Sequence, residues 1–230
     1  MGYNAVQTIA LTCANKEVYS AKLILNLASE MSINSRKVLL FDTDFLSVYN
    51  RQLDNEVGIP LKYTLSDLAS NEITADKMLI DCPNGIKYMS AFCGDFMVTQ
   101  NQKRYENVLI EAYLSLRNRF DYVLLDISSG LNKYKLDFLN FADRIVIVTT
   151  PDSSAIADSY AMIKALYFSL RSPVINLLTR MVSTEEEGDT LFEKFNLIVQ
   201  HFLNHQIGNL GYLINDNETK GIVSNLLLGE

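Results

Sequence analysis

Apolar runs and amphipathic stretches alternate along the 230 residues of this chain. Segments such as 122–125 and 145–148 are apolar at every position, which is typical of strands buried on both faces. The pattern predicts strands at residues 6–11, 37–41, 87–90, 121–125, 144–148, 174–178 and 209–213. Helical spacing of apolar residues predicts helices at 20–31, 105–119, 134–140, 154–169, 190–204 and 218–228. We therefore expect an α/β fold: a mostly parallel central sheet of about seven to eight strands with helices on both faces.

Composition limits the organisation and the partners of this fold. No linker, repeat or low-complexity segment divides the chain, so we expect a single domain over residues 1–230. A net charge of −7 without a cluster of lysine or arginine argues against a nucleic-acid partner. The segment 221–230 has no basic residue, so direct membrane docking is not expected either. Three cysteines that cannot all pair, and the lack of an apolar run long enough to span a bilayer, favour a cytoplasmic protein.

Acidic residues follow two of the predicted strands. Asp42 and Asp44 come directly after residues 37–41, and Asp126 comes directly after residues 121–125. Ligands of open α/β sheets bind beyond the carboxyl ends of the strands, where acids hold Mg²⁺ or orient an attacking water. Acids at strand ends also serve as caps and turn formers. The sequence leaves both roles open for these three residues.

The segment between the first strand and the first helix has the position of a phosphate-binding loop. Such a loop needs glycines that let backbone N–H groups approach phosphate, followed by a lysine and a serine or threonine at the start of the helix. Here no glycine lies between Gly2 and Gly58. The chain therefore keeps the strand–loop–helix frame of a nucleotide-binding ATPase without the residues that hold the nucleotide.

Several segments together resemble the MinD/ParA-type deviant-Walker ATPases, and within them the FlhG (YlxH) flagellar-number regulators. Residues 149–164 are similar to the T-P-E-P-T-A-I-T-D-A-Y-A-L-I-K segment of FlhG, residues 38–44 resemble the strand that ends in D-x-D, and residues 122–130 resemble D-Y-I-L-I-D-x-x-x-G. The resemblance covers essentially the whole chain. It implies a P-loop NTPase fold, a water-orienting role for Asp44, and roles in catalysis or in holding the metal for Asp126 and Asp42.

The same alignment, counted back from Asn26, shows where the family pattern breaks. The residues of the degenerate phosphate loop are Asn15, Lys16, Glu17, Tyr19, Ser20, Ala21 and Lys22. Lys16, Glu17 and Tyr19 replace the three glycines of the family, and Asn15 replaces its signature lysine. Ser20 stands at the Walker lysine and cannot neutralise phosphate charge, and Ala21 stands at the magnesium-binding threonine and offers no oxygen. Glu17 adds repulsion on the order of a few kcal/mol near a phosphate.

These observations support a leading hypothesis and two alternatives. In the first, the protein is a pseudo-ATPase that needs no cofactor and regulates or scaffolds protein partners, such as flagellar or polar-machinery components. Active relatives dimerise around two ATP molecules, so this protein would be either a monomer or a constitutive homodimer with Tyr19 filling the nucleotide space. In the second, it is a working ATPase that binds ATP and Mg²⁺ through Lys16 or Lys22. In the third, it is a heteromeric partner of an active MinD-like ATPase and uses Asp44 in trans.

Overall fold

One eight-stranded sheet forms the centre of the protein. The computed structural model describes residues 6–33, 36–46, 52–94, 98–216 and 218–228. In these ranges the strands are β1 (Gln7–Cys13), β2 (Val38–Asp42), β3 (Ile80–Asp81), β4 (Lys87–Met89), β5 (Tyr122–Ser129), β6 (Arg144–Thr149), β7 (Ile175–Arg180) and β8 (Gly208–Leu213). Their order is β3-β4-β2-β5-β1-β6-β7-β8, and all neighbours are parallel except β3 and β4. The seven predicted strands and the α/β class are confirmed, and β3 was not predicted.

Helices cover both faces of this sheet, as the sequence predicted. The helices of the described ranges are α1 (Ala21–Met31), α2 (Gln52–Val57), α3 (Leu65–Ala69), α4 (Ala75–Met78), α5 (Gln102–Leu116), α6 (Lys133–Leu139), α7 (Ser153–Ser169), α8 (Glu185–Leu203) and α9 (Lys220–Leu228). Buried apolar residues of α1, α2 and α9, with Ala155 of α7, share one apolar core, and the other buried apolar residues of α3 to α8 share the second. None of the helices in the described part of the chain is both long enough and apolar enough to cross a bilayer.

Two differences from the predicted helices have local causes. The helix predicted at 190–204 begins five residues earlier, because the hydroxyl of Thr184 accepts a hydrogen bond from the amide of Glu187 and caps the first turn. Helices α2, α3 and α4 were not predicted, since segments of four to six residues are too short to display a helical period.

The position of β1 decides where a ligand would bind. This strand lies between β5 and β6. From β1 the chain passes through α1 to β2 on one side of it, and from β5 it passes through α6 to β6 on the other side. The carboxyl end of β1 is thus the switch point of the sheet, where open α/β folds bind ligands. The residues that follow, 14–20, run from this point to the start of α1. The predicted phosphate-loop segment therefore occupies the expected place in the fold.

Candidate functional site

The loop 14–20 is closed by hydrogen bonds at its own tip. The side-chain oxygen of Asn15 accepts a hydrogen bond from the amide of Val18 at 3.2 Å. The side-chain nitrogen of Asn15 donates to Asp158 on α7 at 3.0 Å. Val18 is buried beneath the loop, whereas Lys16 and Glu17 are exposed. The tip is therefore held from both sides without any glycine.

Tyr19 points from this loop toward the end of β5. Its phenol donates a hydrogen bond to Oδ2 of Asp126 at 2.6 Å. Burial, followed by the negative charge of Asp126, raises the pKa of the phenol well above its ordinary value. The phenol therefore stays protonated and remains a donor to the carboxylate. The sequence singled out both Tyr19 and Asp126, but no sequence pattern indicated that their side chains would be in contact.

Ser20 caps α1 and forms a hydrogen bond with an ion pair made by Arg180 and Asp216. Its hydroxyl accepts a hydrogen bond from the amide of Leu23 at 3.2 Å and donates to Oδ2 of Asp216 at 2.6 Å. Arg180, at the end of β7, donates to both carboxylate oxygens of Asp216, at 3.0 and 2.6 Å, and to the carbonyl of Val18 at 2.9 Å. We call this pair the Arg180–Asp216 clamp. It fastens the loop to the ends of β7 and β8.

The remaining loop residues have less specific surroundings. Ala21 is buried in the first turn of α1, and its methyl group belongs to the apolar core beneath that helix. Lys22 is exposed on the outer side of the same turn. Lys16 lines the cleft described next. The loop residues thus form no single cluster.

The three acids predicted at the strand ends line one polar cleft. Its volume is about 50 Å³, room for a few water molecules. Asp42 stands opposite Asp126 in the pairing of β2 with β5, and an oxygen of Asp42 accepts the amide of Asp44 at 2.8 Å. Asp54 on α2 and Ser128 also line the cleft. The structure brings the three acids together as the sequence predicted, and their chemical role stays a prediction.

Burial perturbs two of these carboxyl groups. The pKa of Asp126 is raised to about 6, mainly because burial disfavours the charged form, although the hydrogen bonds from Tyr19 and from the amide of Ser128 act in the opposite direction. The pKa of Asp42 is raised well above its ordinary value by burial and by the nearby charge of Asp126. Both carboxyl groups therefore hold their protons to a higher pH than an exposed aspartate does.

Sequence reasoning missed Lys135 on α6. Its ammonium donates to the hydroxyl of Ser128 at 2.9 Å and to the carbonyl of Ser129 at 2.6 Å, although the residue is only 7% exposed. A signal was present, because Lys135 precedes the buried Phe138 and Leu139 by three and four residues and so falls on the apolar face of its helix. A lysine in that position has to find a polar partner inside the fold.

The residues of the loop do not fit a magnesium-bound triphosphate. The ring of Tyr19 lies where a glycine backbone would approach phosphate, and its phenol is engaged by Asp126. The hydroxyl of Ser20 is engaged by Asp216 and carries no positive charge. Ala21 has no oxygen for a metal ion. At the family positions, the loop therefore offers neither a lysine for the phosphate nor a hydroxyl for the metal ion.

Comparison with known proteins gives a consistent family. The model of the AAA domain family AAA_31 matches residues 7–171. The chain is 25% identical over 218 residues to the antiactivator FleN of Pseudomonas aeruginosa, which covers 95% of this chain and 77% of FleN. It is 27% identical over 219 residues to the flagellum site-determining protein YlxH of Helicobacter pylori, covering 94% and 72%. Among solved structures, a chain of the MinC:MinD cell division protein complex of Aquifex aeolicus superposes with a TM-score of 0.70 at 16% identity, covering 98% of this chain and 97% of that one.

Proposed function

This chain belongs to the AAA_31 family and is of the MinD/ParA type, close to FlhG, and from this premise we propose that it is a protein-binding regulator that works without nucleotide. It keeps the family sheet and its switch point. Internal contacts occupy the positions that serve the nucleotide in active members. The protein then regulates through its surface and its partners rather than through hydrolysis.

The observation that carries this proposal is the set of hydrogen bonds made by the loop itself. Tyr19 binds Asp126, Ser20 binds Asp216, and Asn15 binds Asp158. Micromolar ATP affinity requires about 8 kcal/mol of binding free energy. A triphosphate would have to displace hydrogen bonds to charged groups, each worth roughly 1.5–3 kcal/mol, and would gain no Walker lysine in return. Because these losses count against the binding free energy, we expect the affinity for ATP to be weaker than micromolar.

The relatives suggest the kind of partner. FleN is named an antiactivator, YlxH a flagellum site-determining protein, and MinD is found in complex with MinC. We infer that this chain acts in the cytoplasm on a protein partner of the machinery that sets flagellar number or placement, or on a MinD-like homologue. Nucleic acid and direct membrane docking are not part of the proposal.

Isothermal calorimetry with Mg-ATP tests this function. We expect no heat of binding at micromolar to submillimolar nucleotide, because the loop has neither a lysine at the Walker position nor the glycines that hold phosphate. The Ser20→Lys variant carries the Walker lysine back into the loop and serves as the matched comparison. Micromolar binding of Mg-ATP to the unmodified protein would contradict the proposal.

One observation favours a second function, that of a working ATPase. Lys16 lines the same cleft as Asp44 and Asp126, so an ammonium is present near the acids, although it is not at the Walker position. If Lys16 served this role, Mg-ATP would bind with micromolar affinity, Lys16→Ala would abolish that binding, and Asp44→Ala would abolish hydrolysis. A heteromeric partner is the third possibility, and it predicts that the chain co-purifies with an active MinD-like protein only when ATP is present.

A further inference from the structure

An open groove lies at the end of the sheet opposite the acidic cleft. It runs across the amino ends of the adjacent parallel strands β4, β2 and β5, and its volume is about 780 Å³. Ligand sites in proteins have volumes of roughly 300–1,000 Å³, so a short segment of a partner fits within it. We call it the amino-end groove.

The charge of this groove is opposite to that of the whole protein. In the described part of the chain, every charged residue that lines it is basic: Arg36, Lys37, Lys87 and Arg119. The half-buried side chains of Leu79 and Phe120 add apolar surface between these cations. The chain as a whole carries a net charge of −7, so the groove is a local positive surface that attracts anions.

Backbone pairing holds these cations next to one another. The amide of Lys37 donates to the carboxylate of Asp121 at 2.7 Å, and its carbonyl accepts from the amides of Asp121 and Tyr122 at 2.9 and 3.2 Å. Lys87 begins the neighbouring strand β4, and paired strands lie roughly 4.8 Å apart. The guanidinium of Arg36 lies over the ring of Tyr122, 5.6 Å from its centroid. The fold therefore presents charges that are separated in the sequence as one preformed surface.

The acids beside this groove balance its cations only weakly. Lys87 forms an ion pair with Asp81, and Arg119 forms one with Asp76. The two acids are 83% and 55% exposed, so these are surface pairs that contribute at most about 1 kcal/mol each. A carboxylate from a partner can therefore replace either acid at little cost.

We propose that the amino-end groove binds a protein segment in which aspartate or glutamate alternates with apolar residues. The acids of that segment pair with the cations, and its apolar side chains cover Leu79 and Phe120. A nucleic acid, with a negative charge on every phosphate, would extend beyond the groove onto an acidic protein, whereas a short segment ends within it. The inference rests on the proposed function, because it gives a protein-binding regulator a surface away from the nucleotide position.

Fluorescence anisotropy with the full chain and no nucleotide tests this inference. The probe is a labelled peptide of about twelve residues built from the repeat Ser-Glu-Leu-Glu. We expect a dissociation constant on the order of 10–100 µM at about 50 mM salt, and at least about fivefold weaker binding at about 500 mM salt, because salt screens exposed charges. A peptide with lysine in place of glutamate should not bind. One with serine in place of leucine should bind at least about threefold more weakly.

Two double variants separate the groove from the overall charge. Lys37→Glu with Lys87→Glu reverses two charges of the groove. Lys133→Glu with Arg171→Glu changes the net charge equally at exposed positions outside it. We expect the first to weaken peptide binding about tenfold or more and the second by less than about twofold. Equal losses in the two variants would overturn the proposal.

Hydrogen exchange of the unmodified protein keeps the test decisive if a variant does not fold. The peptide should slow exchange in the segments 36–38, 85–88 and 119–122. Slowing confined to other segments, no binding at about 1 mM peptide, or tighter binding of a single-stranded oligonucleotide of equal charge would overturn the proposal. ATP binding in the calorimetric experiment would refute the proposed function without changing this result, and failure of the peptide to bind would leave the calorimetric result as it stands.

Discussion

At the scale of single residues, the most informative contact is the hydrogen bond from the hydroxyl of Tyr19 to Asp126. A phenol donates one hydrogen bond and brings a ring that excludes water, so it can satisfy Asp126 without supplying a full positive charge. A glycine at the same position would leave this carboxylate open to solvent and to metal ions. The tyrosine of the loop 14–20 therefore gives the buried Asp126 of β5 a hydrogen-bond donor.

The raised pKa of Asp126 predicts how stability depends on pH. With a folded pKa of about 6 and an ordinary value of 3.8, the folded state binds the proton more tightly than the unfolded state. The stability from this proton is fully present below the unfolded pKa and is lost as pH rises through about 6. We expect the free energy of unfolding to fall by on the order of 1–3 kcal/mol between about pH 4.5 and pH 7. Urea unfolding at a series of pH values measures this.

The pH dependence of the free energy of unfolding is then compared between two variants, Asp126→Asn and Asp81→Asn. Asp81 is an exposed carboxylate, 83% accessible in its ion pair with Lys87, so its substitution should leave the pH profile unchanged. Asp126→Asn should reduce the fall with pH, and the raised pKa of Asp42 should account for the fall that remains. A profile of equal slope in Asp126→Asn and the unmodified protein would show that another group carries the pH dependence.

At the scale of structural elements, the position of the loop 14–20 depends on contacts with residues at the ends of β7 and β8. The Arg180–Asp216 clamp reaches the loop from the carboxyl ends of β7 and β8, and both side chains are largely buried, at 12% and 14% exposure. An ion pair enclosed in this way is costly to break, because removal of one partner leaves the other charge unpaired. The clamp therefore holds the start of α1 in place.

Substitution of Asp216 by alanine should reveal this dependence. We expect a loss of roughly 2–4 kcal/mol in the free energy of unfolding, because Arg180 remains buried without its carboxylate and Ser20 loses its acceptor. Faster hydrogen exchange at the amides of 14–20 should accompany the loss. Asp76→Ala removes the acid of an exposed pair with Arg119 and should cost no more than about 0.5 kcal/mol. Similar losses in the two variants would place the clamp among ordinary surface pairs.

The same elements show what sequence reasoning could and could not supply. The buried strands and long helices were predictable because their apolar periods extend over many residues, and Asp42 and Asp126 were predictable as neighbours because parallel strands end at a common edge. The hydrogen bonds of Tyr19 and Ser20 join residues 107 and 196 positions apart, so they arise from tertiary packing that no local pattern encodes. Lys135 left a trace, a charge on an apolar helix face, but its partners Ser128 and Ser129 lie on β5 and are set by tertiary packing.

At the scale of the whole molecule, we expect the oligomeric state of the protein not to depend on nucleotide. A ligand shifts an equilibrium between assembly states only if it binds those states with different affinity. A protein that binds no nucleotide therefore keeps one state, either monomer or homodimer, whatever the ATP concentration. The closed loop supports this expectation, because Tyr19, Ser20 and Asn15 already use their polar groups within the same chain.

Light scattering coupled to size-exclusion chromatography measures this directly. We expect the same molar mass without nucleotide, with Mg-ADP and with Mg-ATP, at protein concentrations that span at least about a hundredfold so that weak dimers are detected. The Asp44→Ala variant is the more sensitive comparison, because loss of the acid that would orient the attacking water slows hydrolysis and preserves any ATP-bound state. If Mg-ATP raised the mass of either protein, the site would have to open and bind nucleotide despite its internal hydrogen bonds, and regulation by the nucleotide cycle would replace regulation by a fixed surface.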